Sequence, residues 1–182
     1  HLSIRRQRQM CIRDRLKPGE PGYVELDPNS LPGKVMMNPP IVGGNYVKER
    51  AWRSAEIPAA NGHGNAHSIA RVGAAMACGG ELDGVRLMRL STIEKAIEEQ
   101  CYKTDLVLGM RVRYGLGFGL RSKEMPVGPN PRTFFWSGAG GSVTVMDLDA
   151  RLSWAYVMNK MSFEAPDPRS LGISQALYAS LA

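Results

Sequence analysis

The run Thr133-Phe134-Phe135-Trp136-Ser137-Gly138-Ala139-Gly140-Gly141-Ser142 decides the fold reading, because a bulky apolar stretch breaks into small residues and then resumes as strand. Gly138, Gly140 and Gly141 remove side chains where an extended ligand could lie against bare backbone, at a cost to the strand. A tight turn or bulge between two strands accounts for the same glycines. Outward from this run, Ser142-Val143-Thr144-Val145-Met146 is β-branched and apolar, Asp147-Leu148-Asp149-Ala150 reads as a turn, and Arg151 to Met158 reads as strand again. Three consecutive antiparallel strands are expected. On the last, Leu152, Trp154, Tyr156 and Met158 share one face and Ala155 and Val157 the other, which predicts an interior strand buried on both faces.

Trp136-Ser137-Gly138-Ala139-Gly140-Gly141-Ser142, the hairpin behind it and the closing Tyr156-Val157-Met158-Asn159 resemble the third motif and last strands of the serine β-lactamase-like family. That family comprises class C β-lactamases, penicillin-binding proteins and esterases of the same fold. Its third motif is Lys-Thr-Gly or Lys-Ser-Gly, or His-x-Gly or Trp-x-Gly in esterase-like branches, and Trp136-Ser137-Gly138 matches the last form. Residues 57–66, Ile57 to Ala66, are similar to a later helical region of the family, so the resemblance covers roughly residues 50–182. It implies an α/β (α+β) fold, an antiparallel sheet with flanking helices, closed by a C-terminal helix.

The family's nucleophile is a serine in Ser-x-x-Lys, supported by a Tyr-x-Asn motif. Neither pattern occurs in these 182 residues, and Tyr156-Val157-Met158-Asn159 has one residue too many. Both motifs precede the matched region in the family, which implies the C-terminal part of a serine hydrolase, incomplete on its N-terminal side and inactive alone. By the resemblance, Ser137 holds a polar group of the substrate and the Ala139 N–H is one oxyanion-hole donor, the other coming from the nucleophilic serine. Gly138 and Gly140 join Trp136 and Ser137 as substrate-binding candidates. Where a β-lactamase has a lysine that holds the drug's carboxylate, Trp136 offers an uncharged apolar wall, which implies acyl esters or amides as substrates and a carboxylesterase in particular. The alternative for Trp136 is a space-filling core residue. The alternatives for the chain are a true β-lactamase or peptidase, or a non-catalytic binding module that keeps the fold.

Residues 1–15 show no helical or strand periodicity and resemble translated sequencing-adapter DNA, so they are set apart from the domain expected over residues 16–182. Their five arginines admit a second reading, a basic arm for nucleic acid or acidic lipid. With one aspartate they contribute +4, so the formal charge of +6 becomes +2 for residues 16–182, the basic balance is poor evidence for nucleic-acid binding, and no nucleic-acid partner is expected. Cys11, Cys78 and Cys101 form no disulfide framework, which predicts reduced thiols and a cytoplasmic setting. No apolar run reaches the roughly 18 residues that span a bilayer. Oligomeric state is not legible.

Residues 16–60 carry Pro18, Pro21, Pro28, Pro32, Pro39, Pro40 and Pro58 and are expected to be irregular. Residues 61–110 are expected to be helical and 111–182 to supply the strands and the C-terminal helix. Ile69, Val72, Gly73 and Met76 predict the inner face of a helix over 66–78, ended by Gly79-Gly80. Ser91 and Glu94 form the sequence pattern of a capping box for a second helix whose inner face is Ile93, Ala96 and Ile97, with Glu94, Lys95, Glu98 and Glu99 in water. Val112 to Leu120 reads as one strand with alternating glycines, and it fails the Gly-x-Gly-x-x-Gly spacing, so no dinucleotide cofactor is expected. Asp167 followed by Pro168 predicts an N-cap and first helical position, with Ile173, Leu177 and Leu181 on the sheet face. His63 and His67 are four apart, yet the intervening glutamate and a third ligand are lacking, so no metal is expected. Ser142 lacks the final glycine of a nucleophile elbow and is a poor nucleophile candidate.

Overall fold

Alternation of side chains along residues 133–156 builds three adjoining strands of a sheet. In the computed structural model, which describes residues 25, 27–37, 49–58, 62–138, 140–160, 162 and 164–181, six antiparallel strands lie in sequence order. They are β3 (Cys101–Thr104), β4 (Arg111–Tyr114), β5 (Gly119–Leu120), β6 (Thr133–Ser137), β7 (Val143–Asp147) and β8 (Leu152–Tyr156). A separate hairpin, β1 (Glu81–Leu82) with β2 (Val85–Arg86), precedes them. Helices α1 (Leu31–Met37), α2 (Arg50–Ser54), α3 (Ala66–Ala77), α4 (Leu90–Ala96) and α5 (Pro168–Ala179) complete the described elements.

Period-two alternation sends Phe134 and Met146 to one face of the sheet, where they pack with Met76 and Ala77 of α3, Ile93 of α4, Leu120 and Leu148. Phe135, Val143, Val145 and Trp154 point to the other, with Val127 and Leu177 of α5. Helices therefore flank both faces of an antiparallel sheet, the expected fold class.

Several local expectations are corrected. β8 closes one side of the sheet, so among the described residues it is an edge strand rather than an interior one, although α3 covers it on one face and Trp154 packs into the core on the other. Residues 112–120 form two strands, because Gly115 to Phe118 turns back on itself, with the Gly115 amide bonded to the Phe118 carbonyl and Gly117 at φ +80°. β1, β2 and β3 fall within the stretch expected to be helical.

Helices α1 and α2 fall where irregular chain was expected. Pro32 fits α1 because a first-turn residue needs no amide donor, Ser30 Oγ accepts from the Gly33 amide, and a Cβ on Gly33 would lie 2.0 Å from the Asp27 carbonyl oxygen.

The cap of α4 was also misplaced. Its ladder starts from the Arg89 carbonyl, which accepts from Thr92 and Ile93, so Ser91 lies inside the first turn and no side chain caps the helix. A capping box exists instead on α3, where Asn65 Oδ1 accepts from the Ser68 amide and Ser68 Oγ from the Asn65 amide. Asp167 does cap α5, with Pro168 following.

The α5 face differs from its apolar periodicity. Ser170 and Ser174 are buried while Ile173 and Leu181 are exposed. Small hydroxyls take the inward positions, Ser174 Oγ donating at 2.8 Å to the carbonyl of Val127 in the segment between β5 and β6. Val72 of α3 is likewise exposed, whereas Gly73 and Met76 are buried as expected.

Candidate active site

The strand β6 is buried at Thr133, Phe134 and Phe135 and exposed at Trp136 and Ser137. Its pairing explains the change. β7 accompanies β6 along all five residues, but β5 pairs only with Phe134 and Phe135, so Trp136 and Ser137 run past its end. Hydrogen-bonding direction alternates along a strand. The Thr133 carbonyl accepts from the Arg121 amide on the β5 side, and the Gly138 amide donates to the Ser142 carbonyl on the β7 side at 2.9 Å. Two residues past Phe135, the Ser137 N–H and C=O therefore face a side on which no strand among the described residues pairs with them.

Trp136 stands at this edge, 51% exposed, with its ring 6.0 Å from that of Tyr114 and tilted by 38°. It is not a core residue. Burial raises the Tyr114 phenol above its ordinary range, so this neighbour stays uncharged at neutral pH. The two rings make an aromatic wall of uncharged side chains. Sequence reading missed Tyr114, since it took residues 112–120 as one strand; the Gly115-Leu116-Gly117 run was the signal that a turn returns the chain beside β6.

The glycines divide between two roles. A Cβ on exposed Gly138 would meet nothing nearer than Ser142 Oγ at 3.8 Å, so packing does not require glycine there and the backbone is left bare on the open side. Gly140 and Gly141 have φ of +93° and +104°, values that favour glycine, and the Gly141 amide closes the turn onto the Gly138 carbonyl. Gly140 is buried, and its carbonyl accepts from the Ser162 amide at 2.9 Å. It shapes the turn rather than lining the open edge. Ala139 lies outside the described residues, as do residues 1–15.

Beneath the turn, Asp167 accepts from the Arg169 amide at 2.9 Å, and the Arg169 guanidinium chelates the same carboxylate. The guanidinium holds the Asp167 carboxyl below the usual range against the opposing effect of burial. Arg169 also donates to the Lys160 carbonyl at 2.7 Å and sits over the Tyr156 ring. Ser142 Oγ contacts Met158 Sδ at 3.5 Å, with no base beside it, which leaves it without an activating partner among the described residues.

Elsewhere, a shallow cleft of about 480 Å³ opens between Glu99, Tyr102, Arg113, Arg121 and Lys123. None of Trp136, Ser137 or Gly138 lines it. Arg113 is paired with Glu99, and the Arg121 guanidinium donates to the Gly128 carbonyl. His63 and His67 are exposed, in the segment before α3 and in its first turn, and no group of three or more metal-ligating side chains occurs among the described residues. Among those residues no helix is long and apolar enough to cross a membrane.

An antiparallel sheet with helices on both faces, presenting the open end of a Trp-Ser-Gly strand, is the architecture of the β-lactamase and transpeptidase fold. Residues 14–176 match the Beta-lactamase family, and the chain belongs to it. Over 107 residues it is 32% identical to the Esterase/beta-lactamase LipL of Mycobacterium tuberculosis, covering 59% of this chain and 24% of LipL. Among solved structures it is similar to a family VIII carboxylesterase (42% identity, TM-score 0.67, 72% of this chain and 36% of that one). It is also similar to a penicillin-binding protein homolog from Caulobacter crescentus (35% identity, TM-score 0.75, 92% and 44%). EstA from Arthrobacter nitroguajacolicus Rue61a shares the fold at 24% identity, with a TM-score of 0.69 over 90% of this chain and 45% of that one. The chain thus spans about a quarter of LipL and less than half of each of these solved structures.

Proposed function

We propose that this chain is the C-terminal part of a serine hydrolase of carboxylesterase type, in which a serine outside these residues attacks an ester carbonyl and is acylated as the ester C–O bond breaks and the protonated alcohol leaves. The open Ser137 edge carries this reading: it offers a backbone N–H and C=O to an extended substrate beside the bare Gly138. In the mechanism, the substrate's acyl part lies along Trp136, Ser137 and Gly138. The Ala139 N–H is one of two donors to the carbonyl oxygen as negative charge builds on it. Such donors act on the transition state more than on the ground state and contribute about a hundredfold to a thousandfold in rate each. Deacylation by water returns the serine and releases the acid.

The uncharged wall of Trp136 and Tyr114 supports neutral acyl esters over substrates that bear a carboxylate. Similarity to a family VIII carboxylesterase supports the same choice. We assign the protein to the cytoplasm, supported by unpaired Cys78 and Cys101. The test is to recover the coding sequence preceding Leu16, express the complete protein and compare p-nitrophenyl butyrate with a chromogenic cephalosporin. Faster hydrolysis of the butyrate is expected. Faster hydrolysis of the cephalosporin would overturn the ester preference, and hydrolysis of neither would favour a binding module.

A further inference from the structure

The turn at residues 138–142 is held from below by a single packed unit. A Cβ on Gly141 would lie 2.2 Å from Asp167 Oδ2 and 3.1 Å from Arg169 Nη2, so the turn backbone rests directly on that ion pair. The Asp167 carboxylate is 6% exposed and cannot swing away into water. Arg169 ties it to the Lys160 carbonyl, two residues before Ser162, whose amide donates to the Gly140 carbonyl. Turn, C-terminal helix and the chain entering it are therefore linked through one guanidinium. Its planar fork is suited to this, since it grips both carboxylate oxygens while a further N–H reaches a carbonyl.

We propose that Asp167 and Arg169 are positioning residues for the hydrolysis, acting through the Gly138–Ser142 turn that sets the orientation of the strand edge. This rests on the function proposed above. Neither side chain needs to touch the substrate. A turn that relaxes by a fraction of an ångström leaves ester binding nearly intact and misaims the donors at the moment charge develops, and misplacement of about 1 Å costs on the order of a hundredfold in rate.

Two readouts test the proposal. In this chain, Arg169→Ala is expected to speed hydrogen exchange at the Gly138, Gly141 and Ser162 amides by about tenfold or more while the Val145 amide keeps its protection. In the complete hydrolase the same substitution is expected to lower kcat by about tenfold to a hundredfold with KM within about twofold. Should Arg169→Ala fail to fold, Arg169→Lys, which keeps the charge without the fork, carries the same test. Unchanged exchange at the three amides, or equal loss at Val145, overturns the brace. Loosened amides alongside a complete wild-type protein without esterase activity would sustain the brace and sink the functional reading instead.

Discussion

The phenol of Tyr178 donates a 2.7 Å hydrogen bond to Asp147 Oδ2, fastening the C-terminal helix to the strand that backs the Trp136–Gly138 edge. Asp147 is fully buried and accepts also from Asn130, Thr133 and the amides of Asp149 and Ala150. Burial pushes its carboxyl up, but these donors outweigh it and the net shift is downward. Tyr178 is raised well above the ordinary tyrosine value by burial and by the same carboxylate.

The signs fix the pH profile. Between the folded and unfolded values of Asp147 the unfolded chain holds more protons, so this contribution is complete above about pH 4 and is lost as pH falls through the folded value. Tyr178 keeps its proton in the folded state, so its contribution is complete below about pH 10 and declines above that. Tyr178→Phe is expected to destabilise by about 1.5–3 kcal/mol near neutral pH and to flatten the alkaline decline. Urea unfolding of both proteins at a series of pH values checks this; parallel alkaline declines would contradict it.

The contact between α3 and β8 gives a second prediction. A Cβ on Gly73 would lie 2.3 Å from Ser153 Oγ, an oxygen that is buried without a hydrogen-bond partner among the described residues. Gly73→Ala is expected to destabilise by about 1–3 kcal/mol through overpacking. Ser153→Ala should be neutral or stabilising, because it removes an unsatisfied hydroxyl. The double variant should regain most of the loss, and additive thermal shifts would show that the two sites do not meet.

Helix capping separates the observed structure from the sequence expectation. Asn65→Ala removes a formed box and is expected to cost about 1 kcal/mol. Ser91→Ala touches an exposed residue inside a first turn and should stay within about 0.5 kcal/mol. Equal losses in urea unfolding would contradict the assigned start of α4.

These cases show what the sequence discloses. β6, β7 and β8 were readable because their residues are β-branched or aromatic and a turn separates the last two, at 148–151 and so one residue later than the expected 147–150. The α5 N-cap was readable because Asp167-Pro168 suits only a helix start. The sheet-facing side of α5 was not, since Ser170 and Ser174 take the buried positions that apolar periodicity gave to Ile173 and Leu181. At the site, Trp136-Ser137-Gly138 was legible as a motif. Its open edge was not, because it depends on β5 being two residues long, and the brace was not, because Gly141 and Asp167 meet only in the folded chain.

Trp136→Ala in the complete hydrolase is expected to raise KM for p-nitrophenyl butyrate by about tenfold, the equivalent of losing roughly 1.4 kcal/mol of apolar and ring contact. Fluorescence-monitored unfolding should change little, because the indole is half exposed. A large fall in stability with unchanged KM would return Trp136 to a packing role.

On the function proposed above, this chain completes the site of an acyl-serine hydrolase. That claim is tested most directly by mixing the complete protein with p-nitrophenyl butyrate, quenching in acid within the first turnovers and measuring intact and peptide masses. The account predicts a butyryl adduct on the serine of a Ser-x-x-Lys sequence preceding residue 16. Rapid turnover with no adduct on that serine, or an adduct on Ser137 or Ser142, would contradict it.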